Sequence, residues 1–442
     1  MKPYQDQPDH HLTGLPPGIP FIIGNEAAER FSYYGMRAIL VVYMTQYLTD
    51  STGALAVMSE HEAQGYFHLF VSAIYIMPIL GALVSDGLLG KYRTIILLSL
   101  VYCLGHLAMS VDDTRFGLLV GQGLIALGAG GIKPCVSAHV GDQFGRSNQQ
   151  LIGTVFSWFY LAINFGALVA MLLMPWLLAN FGSGTAFGVP GMLMLIATVI
   201  FWSGRYRFVH IKPASMGFIN EIFSQLGRQA LAKLSSVYLF IAIFWSLFDQ
   251  IGSSWVIQAQ KMDRIIWGME LLPSQIQAAN PLLILILTPM FTYVIYPWLN
   301  KLTALTELKK IAIGFFLAVA SFTMASLIEM AIDNGNAPLI IWQLIAYVLL
   351  TAAEVMVSIT CLEYSYRQAP KTMKSLVMAL YMLSIALGNL LTSGVNFIIE
   401  HFDIGSNLAG ANYFWFFTVI MLITAFVFLC VSSHFIENKQ VS

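Results

Sequence analysis

Twelve stretches of this chain are apolar for close to the ~20 residues that a helix needs to cross a bilayer. They lie at roughly 20–47, 64–88, 93–110, 116–140, 150–178, 189–208, 235–259, 278–299, 306–331, 338–364, 375–399 and 411–434. Such a run of segments cannot be buried in a water-soluble fold of 442 residues that is 57% hydrophobic and only 10% charged, because soluble domains carry about 25% charged residues. The ten-residue alternation of a membrane β-barrel is absent. The expected fold is an all-α membrane protein of twelve transmembrane helices.

The first nineteen residues are mostly polar and hold four prolines. They lack the basic-then-apolar order of a signal peptide, and the span that follows is too long for one, so the first helix is expected to be retained. Cys103, Cys135, Cys361 and Cys430 all fall inside apolar runs and read as small packing residues. With the N-terminus and every even-numbered loop placed on one side, that side holds sixteen of the 22 Lys and Arg. The positive-inside rule then assigns both termini to the cytoplasm, which requires an even number of spans.

The longest connection is 209–234, with Lys212, Pro213, Arg228 and Lys233. The reading is therefore a cytoplasmic tail (1–19), a six-helix bundle (20–208), a cytoplasmic linker (209–234), a second six-helix bundle (235–434) and a cytoplasmic tail (435–442). Residues 214–234 could lie along the inner leaflet as an amphipathic helix. Six helices, a basic linker and six more resemble the plan of a major-facilitator transporter, which implies a substrate site near mid-membrane between the halves. The stretch Gly81-Ala-Leu-Val-Ser-Asp86-Gly-Leu-Leu-Gly90-Lys91-Tyr-Arg93 resembles the signature of that superfamily, although a generic turn between closely packed helices would read much the same.

Seven strongly ionisable residues are read inside apolar spans: Glu26, Glu29, Arg30, Arg37, Lys133, Asp249 and Glu354. Each costs ~2.5–3.5 kcal/mol at the bilayer centre even on insertion scales, so they must face one another or a polar cavity. An ion-pair network that only glues helices is the plainer alternative, but buried pairs are poor stabilisers. Glu26, Arg30, Tyr34 and Arg37 recur every three or four residues and line one helical stripe, with Glu29 and Tyr33 in the adjacent row. Acid, base, phenol and base in order suit a zwitterionic ligand and coupled protons. Four carboxylates face three cations, and an unmatched carboxylate in low dielectric can hold a proton near neutrality. His68 is a further titratable candidate or a satisfied core histidine.

The first helix reads Glu26-Ala-Ala-Glu29-Arg30-Phe31-Ser-Tyr33-Tyr34-Gly35; the fourth carries Gly128-Ala-Gly-Gly131-Ile-Lys133-Pro134; the fifth carries Phe159-Tyr160-Leu-Ala-Ile-Asn164-Phe-Gly166. Together with Phe244-Trp245-Ser-Leu-Phe248-Asp249-Gln250, Asn280-Pro281 and Glu354, these resemble the proton-dependent oligopeptide transporter (PTR2, or POT) family. The resemblance implies a proton-coupled symporter that imports di- and tripeptides by alternating access. By position it implies that Arg37 and Lys133 receive the peptide carboxylate and Glu354 the amino group. Asn164 and Asn280 would bond the peptide backbone, and Tyr33, Tyr34 and Tyr75 would shape the pocket. Glu26, Glu29, Arg30, Lys133 and His68 would couple protons, while Arg37 with Asp249 and Lys133 with Glu354 would pair as gates. Many family members carry Glu where this chain has Asp249, and the large outer domain of animal members has no room at 331–337, which favours a bacterial plasma (inner) membrane. Bacterial relatives often insert two helices between the halves, for which 209–234 is too short.

Expected partners are short peptides, protons and membrane lipids, with no nucleic acid, no metal and no cofactor beyond the coupling proton. The same machinery moving nitrate or another amino-acid-like molecule is the alternative. Neither His-Glu-x-x-His nor Gly-x-Ser-x-Gly occurs, so no enzyme is expected.

Overall fold

In a computed structural model, residues 4–211, 213, 225–368, 374–402 and 407–435 are described. The calls at 212, 214–224 and beyond 435, which include nearly half of the expected linker and the C-terminal tail, lie outside the described residues. The chain is almost wholly helical. Helices α1 (Ile19–Gln46), α2 (Glu60–Val84), α3 (Lys91–Val111) and α4 (Arg115–Asp142) are followed by one 52-residue helical stretch, Ile152–Ser203. At 1.5 Å per residue that stretch would be ~78 Å long, more than twice a ~30 Å hydrocarbon core. It is two helices: Gly182, at φ 76° and ψ −179°, breaks it into α5 (152–181) and α6 (183–203).

The later spans are less regular. After α7 (Gln225–Phe248) a tight turn at Asp249–Gly252 leads into α8 (Ser254–Gln260). Helix α7 starts ten residues before the predicted span, because Gln225, Arg228, Ala230, Leu231, Ala232 and Lys233 are good helix formers. Then come α9 (Ala279–Met290) and α10 (Tyr296–Leu302), joined by a wide π turn at Phe291–Ile295. Next are α11 (Glu307–Asp333) and α12 (Ile340–Glu354), the latter joined by another π turn (Val355–Ile359) to α13 (Thr360–Gln368). Helices α14 (Lys374–His401) and α15 (Ala411–Phe435) complete the chain. A two-residue hairpin, β1 (Ile265–Ile266) with β2 (Met269–Glu270), is the exception to the all-helical reading. Its turn residues Trp267 and Gly268 both have positive φ, as the tight hairpin turn requires.

Among the described residues, ten helical stretches are long and apolar enough to cross a membrane. The α5–α6 pair is one of the ten, and α1 falls outside them because of its charges. Their side chains confirm the solvent. On α3, Leu97, Leu100, Leu104, Leu107 and Val111 point outward at alternating spacings of three and four, while Ser99, Tyr102 and His106 face inward. Apolar outside and polar inside inverts the order of a soluble helix and fits a lipid surround. This is a multi-pass membrane protein.

Contacts divide the chain into two compact units, Met1–Met58 with Ala73–Gly217 and Ser59–Ser72 with Phe218–Ser442. In the first, α1 packs on α5 and α6, and α3 packs on α4. Glycine makes the α2–α4 contact possible: a Cβ on Gly81 would lie 2.2 Å from the Gly131 carbonyl oxygen, so only two bare backbones fit there. In the second unit α11 packs on α12 and α15, α7 on α14, and α9 on α12.

Candidate substrate and proton site

Every candidate from the first helix lies on the inward stripe of α1. Arg30 Nε donates to Glu26 Oε1 at 2.7 Å and sits 3.1 Å from Glu29 Oε2. The second approach is within ion-pair distance but lacks hydrogen-bond geometry: the Glu29 side chain, only 1% exposed, accepts no hydrogen bond among the described residues. Two buried carboxylates therefore share one guanidinium, leaving a formal charge of −1 unless a proton is taken up. Glu26, Tyr33 and Arg37 are buried with them, and Tyr34 is half-buried, its ring 5.0 Å from that of Tyr33.

Lys133 reaches this cluster because α4 is drawn against α2. The Gly130–Gly131 step lets α4 approach the Ile74 and Gly81 backbone, and Lys133 Nζ then lies 4.1 Å from the Tyr75 ring centroid and 4.6 Å from that of Tyr33. Two aromatic faces thus pack around the ammonium. Asn164, buried on α5, donates to the Tyr160 carbonyl of its own helix at 3.0 Å, which fixes the amide and leaves its oxygen for another donor. Gly166, two residues on, would place a Cβ 2.8 Å from the Ala27 carbonyl, so α5 lies flat against the charged stretch of α1. The first unit thus brings Glu26, Glu29, Arg30, Tyr33, Tyr34, Arg37, Tyr75, Lys133 and Asn164 onto neighbouring faces.

The second unit holds His68, Asp249, Asn280 and Glu354 in two groups. Asn280 Nδ2 donates to Glu354 Oε2 at 2.8 Å and to Thr351 Oγ1 at 3.2 Å. His68, fully buried, has its Nδ1 2.7 Å from Asn389 Oδ1 and its Nε2 2.7 Å from Ser253 Oγ. Asn389 Nδ2 in turn donates to Asp249 Oδ2 at 2.7 Å. His68 is thereby joined to an intramembrane carboxylate through one amide. Of the residues expected to pair as gates, Arg37 and Lys133 belong to the first unit and Asp249 and Glu354 to the second.

Asp249, Asn280 and Glu354 each sit where a helix changes its winding. Asp249 opens the turn after α7, Asn280 is the second residue of α9, and Glu354 is the last of α12 before its π turn. Such defects free backbone groups and re-aim side chains, and they gather at functional sites.

The sequence reading missed four polar residues here: Ser253, Thr351 and Asn389, which are uncharged, and Glu329. The last corrects the count of seven intramembrane ionisable residues. Glu329 is buried in α11 and accepts from Gln258 Nε2 at 2.7 Å, and its place inside a predicted span was signal enough to find it.

A family model described as the POT family, PTR2, matches residues 92–230 and 224–416. Peptide transporter family 1 of Drosophila melanogaster is 37% identical over 367 residues, covering 72% of this chain and 48% of that protein. Human solute carrier family 15 member 1 is 35% identical over 388 residues, covering 74% of this chain and 53% of the human one. The chain spans about half the length of the curated relatives it matches. The crystal structure of the POT family transporter PepTSo superposes with a TM-score of 0.88 at 33% identity, covering 96% of this chain and 99% of the other.

Proposed function

This chain belongs to the POT family, and we propose that it is a proton-coupled symporter that imports di- and tripeptides by alternating access. The observation that carries the reading is the Glu26–Arg30–Glu29 arrangement, in which two buried carboxylates compete for one guanidinium. Discharging that cluster takes one proton, and a charge that must be neutralised before it can move in low dielectric is a means of coupling. Arg37 and Lys133 receive the peptide carboxylate and Glu354 its amino group. Asn164 and Asn280 bond the peptide backbone, and Tyr33, Tyr34 and Tyr75 shape the pocket around side chains of many kinds. Arg37 with Asp249, and Lys133 with Glu354, act as the exchangeable charge pairs of the cycle, and His68 takes part in proton transfer through Asn389.

The same reading places the chain in a bacterial inner membrane with both termini in the cytoplasm, supported by the bias of Lys and Arg to one side. The two six-helix bundles and the linker at 209–234 are its working parts. The test is uptake of a labelled dipeptide into proteoliposomes with and without an inward pH gradient. Accumulation that follows the gradient and collapses with a protonophore is expected. Uptake indifferent to both would overturn the proposal.

A further inference from the structure

At the end of the first unit where α3 begins, a cavity of about 460 Å³ opens, lined by none of the residues of the charged stripe of α1. Four segments build it: Tyr4–Asp6, the α2–α3 turn from Leu88 to Arg93, the last turn of α4 at His139, and, after α6, Val209–Ile211 with Pro213. The walls are fastened to one another. Gln5 pairs with Val209, and the His210 amide donates to the Gln5 carbonyl at 2.7 Å. Gln143 clamps Val209 from the other side, accepting from its amide at 2.9 Å. Gly90, at φ 77°, takes the turn that brings Lys91 and Arg93 to the rim.

The lining is basic. Lys91, Arg93, His139 and His210 all contribute to it, against the single carboxylate of Asp6. Lys91 also holds Asp142 at 2.7 Å, whereas Arg93 is exposed and makes no ion pair among the described residues. His210 is held between the rings of Tyr4 and Tyr92, at 4.3 and 4.7 Å, and its Nε2 faces the Arg205 carbonyl at 2.7 Å. The independent observation is His139. It is 1% exposed, packed edge-on against Phe208, and its Nε2 has no hydrogen-bond partner among the described residues. A buried ring nitrogen left unpaired is costly, and His139 lines the cavity together with Lys91 and Arg93.

We propose that this cavity is a binding site for a phosphate ester. A tetrahedral anion has acceptor positions enough for the Arg93 guanidinium, the Lys91 ammonium and the His139 Nε2–H together. The volume exceeds that of the phosphate alone, and Leu88, Leu89 and Tyr92 offer an organic substituent an apolar wall. A phospholipid headgroup and a soluble phosphate monoester present the same chemistry. The occupant would tie the chain start to the α2–α3 turn, which gives the unit a regulatory or lipid-sensing contact separate from the candidate substrate site.

The test uses the full chain and reads thermal unfolding, so it does not depend on transport. In delipidated detergent the probe is glycerol 3-phosphate; in nanodiscs it is phosphatidylglycerol against phosphatidylcholine. Saturating ligand is expected to raise the unfolding midpoint by a few degrees, as binding to the folded state alone requires. A response in detergent identifies a soluble ester, and one confined to phosphatidylglycerol nanodiscs identifies the headgroup. Arg93→Gln alters an exposed side chain, and His139→Phe keeps the aromatic packing while removing the donor. Each should weaken apparent affinity at least tenfold, while Arg146→Gln, outside the cavity, should not. No shift with either probe, or a shift that both cavity variants retain, would overturn the assignment.

Discussion

The Asn389 bridge of the second unit permits a quantitative test. Replacing Asn389 by Leu keeps its branching and heavy-atom count but removes the 2.7 Å donation to Asp249 and the 2.7 Å contact with His68. A hydrogen bond to a charged acceptor contributes about 1.5–3 kcal/mol, and a neutral one between membrane helices about 0.6 kcal/mol. The loss should therefore be about 2–4 kcal/mol, nearer the upper end if Asp249 stays ionised without that donor. Equilibrium unfolding in mixed micelles at increasing denaturing detergent would measure it. A double-mutant cycle with His68→Leu then separates a network from two independent contacts. If the three residues act together, the double variant should lose less than the sum of the single ones, by more than the ~0.5 kcal/mol scatter of independent sites. Additive losses, or a loss below ~1 kcal/mol for Asn389→Leu, would refute the claim that His68 and Asp249 are coupled through this amide.

Glu29→Gln should abolish uptake driven by a pH gradient yet leave substrate counterflow, because exchange needs no net proton movement; loss of both activities would show a structural role instead. Glu354→Gln should weaken competition by dipeptides with a free amino end at least tenfold in half-inhibitory concentration, and acetylated dipeptides should compete poorly against the unaltered chain. Gly81→Ala should destabilise the first unit by about 1–3 kcal/mol, since the added methyl meets the Gly131 carbonyl; an unchanged unfolding midpoint would mean that the α2–α4 contact relaxes freely. Single cysteines at Thr52 and Gln149, both exposed, should react with an impermeant maleimide from opposite sides of the membrane, Thr52→Cys from outside; labelling of both from one side would reverse the topology.

Membrane-spanning segments were legible because the bilayer sets one length for every crossing, and apolar runs near that length stand out whatever tertiary packing does. The breaks inside spans were less legible. Nothing in the composition of Ile152–Ser203 marks Gly182 as the residue that leaves helical geometry, since that stretch contains many other glycines and two prolines that stay helical. The π turns after Met290 and Glu354 likewise leave no mark in an apolar sequence, because an extra residue per turn changes hydrogen bonding and not hydropathy.

The site divides along a similar physical line. Glu26, Arg30, Arg37, Lys133 and Glu354 could be named in advance because an ion in hydrocarbon is too costly to be incidental. On α1 the spacing put Glu26 and Arg30 on one stripe, and there the two side chains meet. Ser253, Thr351 and Asn389 could not be named that way. A hydroxyl or amide in a transmembrane helix is cheap, and most such groups satisfy themselves on their own backbone, as Thr418 does on Phe414. What separates Asn389 from them is three-dimensional: its amide stands between His68 and Asp249, residues 321 and 140 positions away in the chain. The charges therefore announce where such a protein must work, and the neutral polar groups that hold them become visible only once the helices are placed.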